Sequence, residues 1–207
     1  MYIQRINSTR NISSEEINLY AKMMHEKFSE EFNSPIEAWF QYVECCDFVT
    51  FKKDEIVKEQ DRKERYCYFI LNGCIGVFLW NGSNFVCLDF FFDFEFCADY
   101  MSFLINEATP LQLVALETTK VLRMTEVDYC CLTKKTVGSI IRLITAEVSF
   151  VEKQRQQIDL LTKSADERYK ILLNRFPNID NRVAQKHIAS YLGITPQSFS
   201  RIKRVKI

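Results

Sequence analysis

One stretch near the C-terminus constrains the chain more than any other: residues 185–202, QKHIASYLGITPQSFSRI. Ile188 and Leu192, four apart, share one helical face, and Phe199 and Ile202, three apart, share another. Ala189 is small where a second helix would cross the first. Gly193 stands where the chain must reverse, a position that favours a residue tolerant of positive φ. Thr195 can N-cap the second helix, with Pro196 at its first helical position. The outward face then presents Gln197, Ser198, Arg201 and Lys203, side chains suited to base edges and phosphates. The pattern predicts a helix-turn-helix. A plain αα-hairpin is the alternative, disfavoured because the small, glycine and apolar positions all fall in register.

At 207 residues the chain is too long for that unit alone and has room for a medium domain beside it. Its 47% hydrophobic and 14% aromatic content supports a substantial core. The net charge of zero argues at first against a polyanionic partner. The distribution reverses that impression. From Ser164 onward nine basic residues (Arg168, Lys170, Arg175, Arg182, Lys186, Arg201, Lys203, Arg204, Lys206) face three acids (Asp166, Glu167, Asp180), so the tail is +6 and the rest −6. A local basic footprint attracts a polyanion even on a neutral chain.

Met1–Arg10 is polar and no apolar run approaches roughly 18 residues, so neither a secretory leader nor a membrane span is predicted, and the expected location is the cytoplasm. Eight cysteines are scattered with no C-x-x-C pair, and His25 and His187 are the two histidines. That set supports no metal site and no Ser/His/Asp or Cys/His constellation, so no enzyme is predicted. The adjacent pairs Cys45–Cys46 and Cys130–Cys131 are read as buried reduced thiols, with redox sensing as the alternative.

Ser13–Ser14–Glu15–Glu16 reads as a capping box opening a helix with Ile17, Tyr20, Met24 and Phe28 on one stripe. Ser34–Pro35–Ile36–Glu37 repeats the start signal before Trp39, Phe40 and Val43. From about Phe48 the period changes. Seven short runs rich in aromatic and β-branched residues span 48–51, 55–58, 66–71, 75–80, 84–92, 111–116 and 120–124. Asn72–Gly73 and Asn81–Gly82 are tight-turn signals between them. This spacing predicts an antiparallel sandwich or roll. The aromatic run 90–96 is read as core, with an apolar ligand pocket as the sharper alternative. A short helix is expected at 100–105 and another from Glu126.

The longest helix begins at Thr136. In it Val137, Ile141, Ile144, Val148, Val151, Arg155 and Ile158 follow spacings of 4, 3, 4, 3, 4 and 3. That is a coiled-coil seam interrupted by Arg155, read as a homodimer interface because the opposite face (Glu147, Glu152, Lys153, Gln156) is polar. Packing on the chain's own core is the alternative. Parallel pairing presents two helix-turn-helix units together, as a two-fold-symmetric DNA site requires. Residues 165–174 form a further amphipathic helix, which Phe176–Pro177 ends.

Taken together the elements resemble the Crp/Fnr family of bacterial transcription regulators. Phe51–Glu55 and Tyr68–Gly73 look like the family's opening strands, 95–104 like its phosphate-cassette helix, and 165–169 with 188–196 like its DNA-binding domain. The resemblance implies an α+β fold: N-terminal helices and an antiparallel β-roll (double-stranded β-helix or jelly-roll-like), a long dimerisation helix, and a C-terminal helix-turn-helix lacking a full wing. It divides the chain into a cyclic-nucleotide-binding-like sensor (1–133), a dimerisation helix (134–163) and a DNA-binding unit (164–207). Nucleotide-binding members carry Gly–Glu at the start of the cassette and an arginine after its loop. Here Ala98–Asp99 and Thr109–Pro110 fall in those registers, and neither Thr109 nor Pro110 can grip a phosphate as a guanidinium does. The cassette is therefore read as degenerate, with no cofactor, cyclic AMP not expected, and Phe94, Phe96, Ala98, Asp99, Thr109 and Pro110 as candidates to line a pocket for a different small-molecule effector. The implied partners are double-stranded DNA, a second copy of the chain and RNA polymerase, with no membrane. The DNA-binding candidates are Lys186, Thr195, Gln197, Ser198, Arg201, Lys203 and Arg204. The competing class is a sensor or scaffold that keeps the roll but binds no DNA.

Overall fold

The computed structural model describes residues 11–29, 34–80, 82 and 84–204, and within them omits the side chains of residues 136, 137, 140, 141 and 144. Val137, Ile141 and Ile144 of the predicted seam, Asn81 of the second turn signal, and Lys206 thus lie outside the described residues or side chains. Two helices open the fold, α1 (Ser14–Phe28) and α2 (Ile36–Glu44). The strands β1 (Cys46–Phe51), β2 (Ile56–Lys58), β3 (Arg62–Lys63), β4 (Tyr66–Asn72), β5 (Ile75–Trp80), β6 (Phe85–Phe91) and β7 (Phe96–Cys97) lead to α3 (Tyr100–Ile105). Then come β8 (Ala108–Thr109), β9 (Leu111–Ala115), β10 (Thr119–Thr125), α4 (Glu126–Thr133) and α5 (Thr136–Thr162). The chain ends in α6 (Ala165–Arg175), α7 (Ile179–Arg182), α8 (Gln185–Tyr191) and α9 (Pro196–Arg204). The three strands absent from the sequence reading, β3, β7 and β8, are two residues long, too short to leave a periodic signal.

All strand pairs are antiparallel, in sheets ordered β1-β10-β4-β7 and β2-β9-β5-β6 with a small β3-β8 ribbon. Alternation along each strand sends side chains to two different cores. On β4, Tyr68 and Ile70 point between the sheets, to Ile75, Leu113 and Val121, whereas Phe69 points outward to α1 and α2. On the second sheet Ile75 and Val77 face inward, while Phe78, Cys87 and Phe90 face outward and are buried by α6–α9. Both faces of both sheets are therefore covered, which is why runs such as Tyr68–Leu71 read as continuously apolar.

Local signals hold at most element ends. Ser13 and Glu16 form the expected capping box on α1, and Ser164 and Glu167 form one on α6. Ser34 is different: α2 starts at Ile36 without a side-chain cap, and the Ser34 hydroxyl instead accepts the Trp39 indole N–H at 2.9 Å. Cys130 and Cys131 are also corrected, since both are exposed thiols on the outer side of α4, whose inward face is carried by Tyr129 and Leu132. Phe150, Leu143 and Leu161 of α5 are 64%, 59% and 78% exposed, so its exposed apolar surface is wider than the predicted seam. Two of the polar residues predicted opposite that seam touch the roll: Lys153 pairs with Asp89, and the Gln156 amide donates to the Leu88 carbonyl at 2.9 Å.

The Asn72–Gly73 turn is held from three sides. Gly73 has φ +125°, its N–H donates to Asp93 at 2.7 Å, and a Cβ there would lie 2.6 Å from the Thr119 Cα. Gly73→Ala combines a left-handed φ with a backbone collision and is expected to cost about 1–3 kcal/mol. Urea unfolding should show a lower midpoint with an unchanged slope.

Candidate nucleic-acid interface

Helices α8 and α9 meet through buried Ile188, Ala189, Leu192 and Phe199, each fully excluded from solvent. Gly193 takes φ +67° at the reversal, and the Ile194 N–H returns to the Ala189 carbonyl at 3.0 Å, closing the end of α8. The Thr195 hydroxyl accepts the Ser198 N–H at 3.1 Å and donates to the Ser198 hydroxyl at 3.0 Å, so it caps α9 as its spacing predicts. Phe199 points inward and meets Tyr169 edge-on, with ring centroids 5.0 Å apart. Helix α9 is thereby fixed in rotation. Gln197, Arg201 and Arg204 stand on its exposed side, Ser198 is half-buried beside the cap, and Lys186 is exposed at the start of α8.

The surrounding helices hold this unit by polar contacts. A guanidinium nitrogen of Arg168 donates to the Leu192 carbonyl at 2.7 Å. Asp180 accepts from the Tyr169 hydroxyl and pairs with the Lys203 ammonium at 3.2 Å. Lys203 thus lies half-buried, its charge already opposed. Three more of the nine basic residues are also opposed: Lys170 pairs with Asp166, Arg175 with Glu95 and Glu152, and Arg182 with Asp93 and Glu117. Lys186, Arg201 and Arg204 keep no ion pair with a described residue, and the footprint narrows to them.

The pocket candidates fall into two groups. Phe96 packs on Phe28, Tyr42 and Phe69 in the core under α1 and α2, and half-buried Phe94, at φ +64°, packs against that same core. Asp99 and Thr109 are brought together elsewhere, while Ala98 is half-buried and Pro110 exposed. The Asp99 carboxylate caps α3 by accepting the Ser102 N–H at 3.2 Å, accepts the Thr109 hydroxyl, and pairs with the Lys58 ammonium at 2.8 Å. Lys58 also donates to the Thr109 hydroxyl at 2.9 Å and the Leu111 carbonyl at 2.8 Å. Lys58 and Asp99 are 3% and 0% exposed, so each neutralises the other's buried charge. Lys58 ends a short strand with no flanking signal, and nothing in its spacing marks it as Asp99's partner.

Solved structures share this fold. FixK2 from Bradyrhizobium japonicum is 16% identical over 77% of this chain and 83% of its own, with a TM-score of 0.64. The c-di-GMP-responsive global regulator CLP of Xanthomonas campestris is 12% identical over 83% of this chain and 92% of its own, with a TM-score of 0.65. A protein described as a transcriptional regulator of the Crp/Fnr family from Eubacterium rectale is 14% identical over 86% and 85%, also at 0.65. No protein-family model and no curated protein sequence matches the chain. At these identities the likeness shows the fold: an α+β chain with an antiparallel β-roll and a C-terminal helical unit. No described helix is long and apolar enough to cross a membrane.

Beside Asp99, Glu64 is 2% exposed and accepts the N–H groups of Arg65, Tyr66 and Asp99 at 3.0, 3.1 and 3.3 Å. Burial outweighs those donors and pushes its carboxyl from 4.5 up to about 7. The folded chain then holds this proton more tightly than the unfolded one. Glu64's contribution is greatest below pH 4.5, declines as the pH rises to about 7, and is flat above. The span amounts to about 3 kcal/mol. Glu64→Gln should remove this part of the slope when urea stabilities of parent and variant are compared at about pH 5 and about pH 8.

Proposed function

We propose that this chain is a sequence-specific DNA-binding transcriptional regulator of the Crp/Fnr type, acting in the cytoplasm as a homodimer and not responding to cyclic AMP. The observation behind this reading is the state of α9. Its apolar side is locked against Tyr169 and α8, and its outer side offers Gln197 and Arg201 with no competing ion pair to a described residue. Arg201 is the leading base-reading residue, because its fork matches the two acceptors of guanine in the major groove. Gln197 and Ser198 read beside it, while Lys186 and Arg204 meet phosphates, with Thr195 holding the start of the helix. Lys203 must exchange Asp180 for a phosphate and contributes less than Arg204. RNA polymerase remains a proposed partner by family likeness alone.

The indifference to cyclic AMP is supported by the Lys58–Asp99–Thr109 cluster, where the buried cation already has four acceptors of its own. An effector of another chemistry is compatible with the reading if it binds two arrangements of the chain with different affinity. Dimerisation is supported by α5, where Val148, Val151 and Ile158 are 43%, 45% and 56% exposed in the single chain.

Arg201→Ala should cost about 1–3 kcal/mol at the preferred site and relax selection at one base pair per half-site, while Arg204→Ala should weaken all sequences alike and lower the salt slope by about one unit. Competition on a randomised duplex library measures both. A variant that keeps the parent's base preference makes Arg201 a backbone contact, and a parent that binds no duplex leaves the scaffold reading.

The assembly and effector have their own tests. Val151→Asp should convert dimers to monomers in sedimentation and lower DNA affinity with them. Calorimetry with micromolar cyclic AMP should show no saturable heat. A monomeric parent or a micromolar dissociation constant would contradict the respective assignment.

A further inference from the structure

Besides the ion pairs of Arg175 with Glu95 and Glu152, the helix-turn-helix unit meets the rest of the chain in two ways. One is the covalent joint, where Lys163 (ψ 147°) and Ser164 (ψ 160°) are the extended residues between α5 and α6. The other is the outer face of the second sheet. There Phe92 packs on Phe176 with centroids 4.3 Å apart, Phe90 on Tyr191 and Phe78 on His187. The Cys87 N–H, on edge strand β6, donates to the Ser190 hydroxyl at 2.9 Å.

Arg182, the last residue of α7, crosses this seam. Its Nε and Nη2 donate to Glu117 at 2.9 and 2.6 Å, Nη1 to Asp93 at 2.5 Å, and Nη2 also to the Gly73 carbonyl at 2.9 Å. The guanidinium carbon lies 4.8 Å from the Phe92 ring centre. Three separate loops of the roll thus bind one planar group through all of its nitrogens. A single partly exposed ion pair holds little. A fork gripped in three directions fixes orientation as well as distance. Asp93 is itself positioned by the Gly73 N–H and the Asn72 amide. Burial would push the Asp93 carboxyl up, but the Arg182 hydrogen bond, the Gly73 N–H and the guanidinium charge together hold it below the usual carboxylate range. None of these side chains lies on the exposed side of α9.

We propose that Arg182 is a positioning residue for DNA recognition: by anchoring α7 to Asp93, Glu117 and Gly73, it sets the direction in which α9 is presented and hence the separation of the two recognition helices in a dimer. It touches no base and no phosphate. This inference rests on the reading of the chain as a dimeric DNA-binding regulator, and adds to it a determinant located on the sensor roll.

The test uses the full-length dimer and duplexes carrying the selected half-sites at their preferred spacing, or one base pair closer or farther apart. Each step turns one half-site by roughly a tenth of a helical turn relative to the other. The parent should lose about tenfold or more in affinity on such a change. Arg182→Met keeps the apolar stem over Phe92 but drops the fork. It should retain base preference within each half-site and the parent's salt slope, while its discrimination between spacings falls below about threefold. Arg182→Lys should restore part of the discrimination. Glu117→Gln keeps an accepting oxygen but removes the negative charge from one roll-side anchor, and should shift the preference in the same direction by less; it also serves if Arg182→Met does not fold. Unchanged spacing discrimination in Glu117→Gln and in a folded Arg182→Met overturns the proposal, and so does a salt slope lowered by about one unit in Arg182→Met, which marks a phosphate contact. A parent that binds no duplex overturns the function reading and this inference with it. A parent that binds and discriminates while the variants match it overturns the inference alone.

Discussion

Everything in this molecule depends on the second sheet being apolar on both faces. Ile75, Val77 and Leu113 bury its inner face against the first sheet, and Phe78, Cys87 and Phe90 make its outer face equally apolar. An outward surface of that composition must be covered, because apolar area left in water forfeits roughly 25 cal/mol per Å². Helices α6–α9 cover it. The unit that carries α9 is therefore also the lid of the roll's core, and the roll and helix-turn-helix share one buried cluster. The edge strand β6 gains as well: Ser190 accepts its Cys87 N–H and Gln156 donates to its Leu88 carbonyl, so part of an otherwise open sheet edge is satisfied.

The same economy governs the polar residues. Lys58, Glu64, Asp99, Ser102 and Thr109 are buried together at the end of the roll where α3 begins. An isolated charge there is ruled out by desolvation, and the cluster persists because Lys58 and Asp99 neutralise one another while hydroxyls and carbonyls take up the remaining donors. Such a cluster ties α3 to the β8–β9 connection.

Charge asymmetry along the chain has two uses. The tail is +6 and the remainder −6, and within the tail Lys186, Arg201 and Arg204 are exposed. Yet Arg175 and Arg182 are paired with acids outside the tail, Glu95, Glu152, Asp93 and Glu117. Opposite charges separated in sequence are adjacent in space, and part of the asymmetry is an internal interface.

What the sequence determined by itself was local: helix-turn-helix periodicity, the capping box at Ser13, the Asn72–Gly73 turn, the Thr195 cap, and the inward turn of Phe199. Each follows from residues within a few positions of one another, where spacing translates directly into geometry. The seven longer strands were legible for the same reason, and the two-residue strands were not. Tertiary structure alone decided that Lys58 meets Asp99, that Phe96 belongs to the α1–α2 core while Phe90 and Phe92 pack against the helix-turn-helix unit, that Cys130 and Cys131 face solvent, and that Arg182 reaches Gly73, Asp93 and Glu117. Those contacts join residues dozens of positions apart. No local pattern encodes them, because a side chain's partner across a core is chosen by how sheets and helices stack, and that is set by the burial of all faces at once.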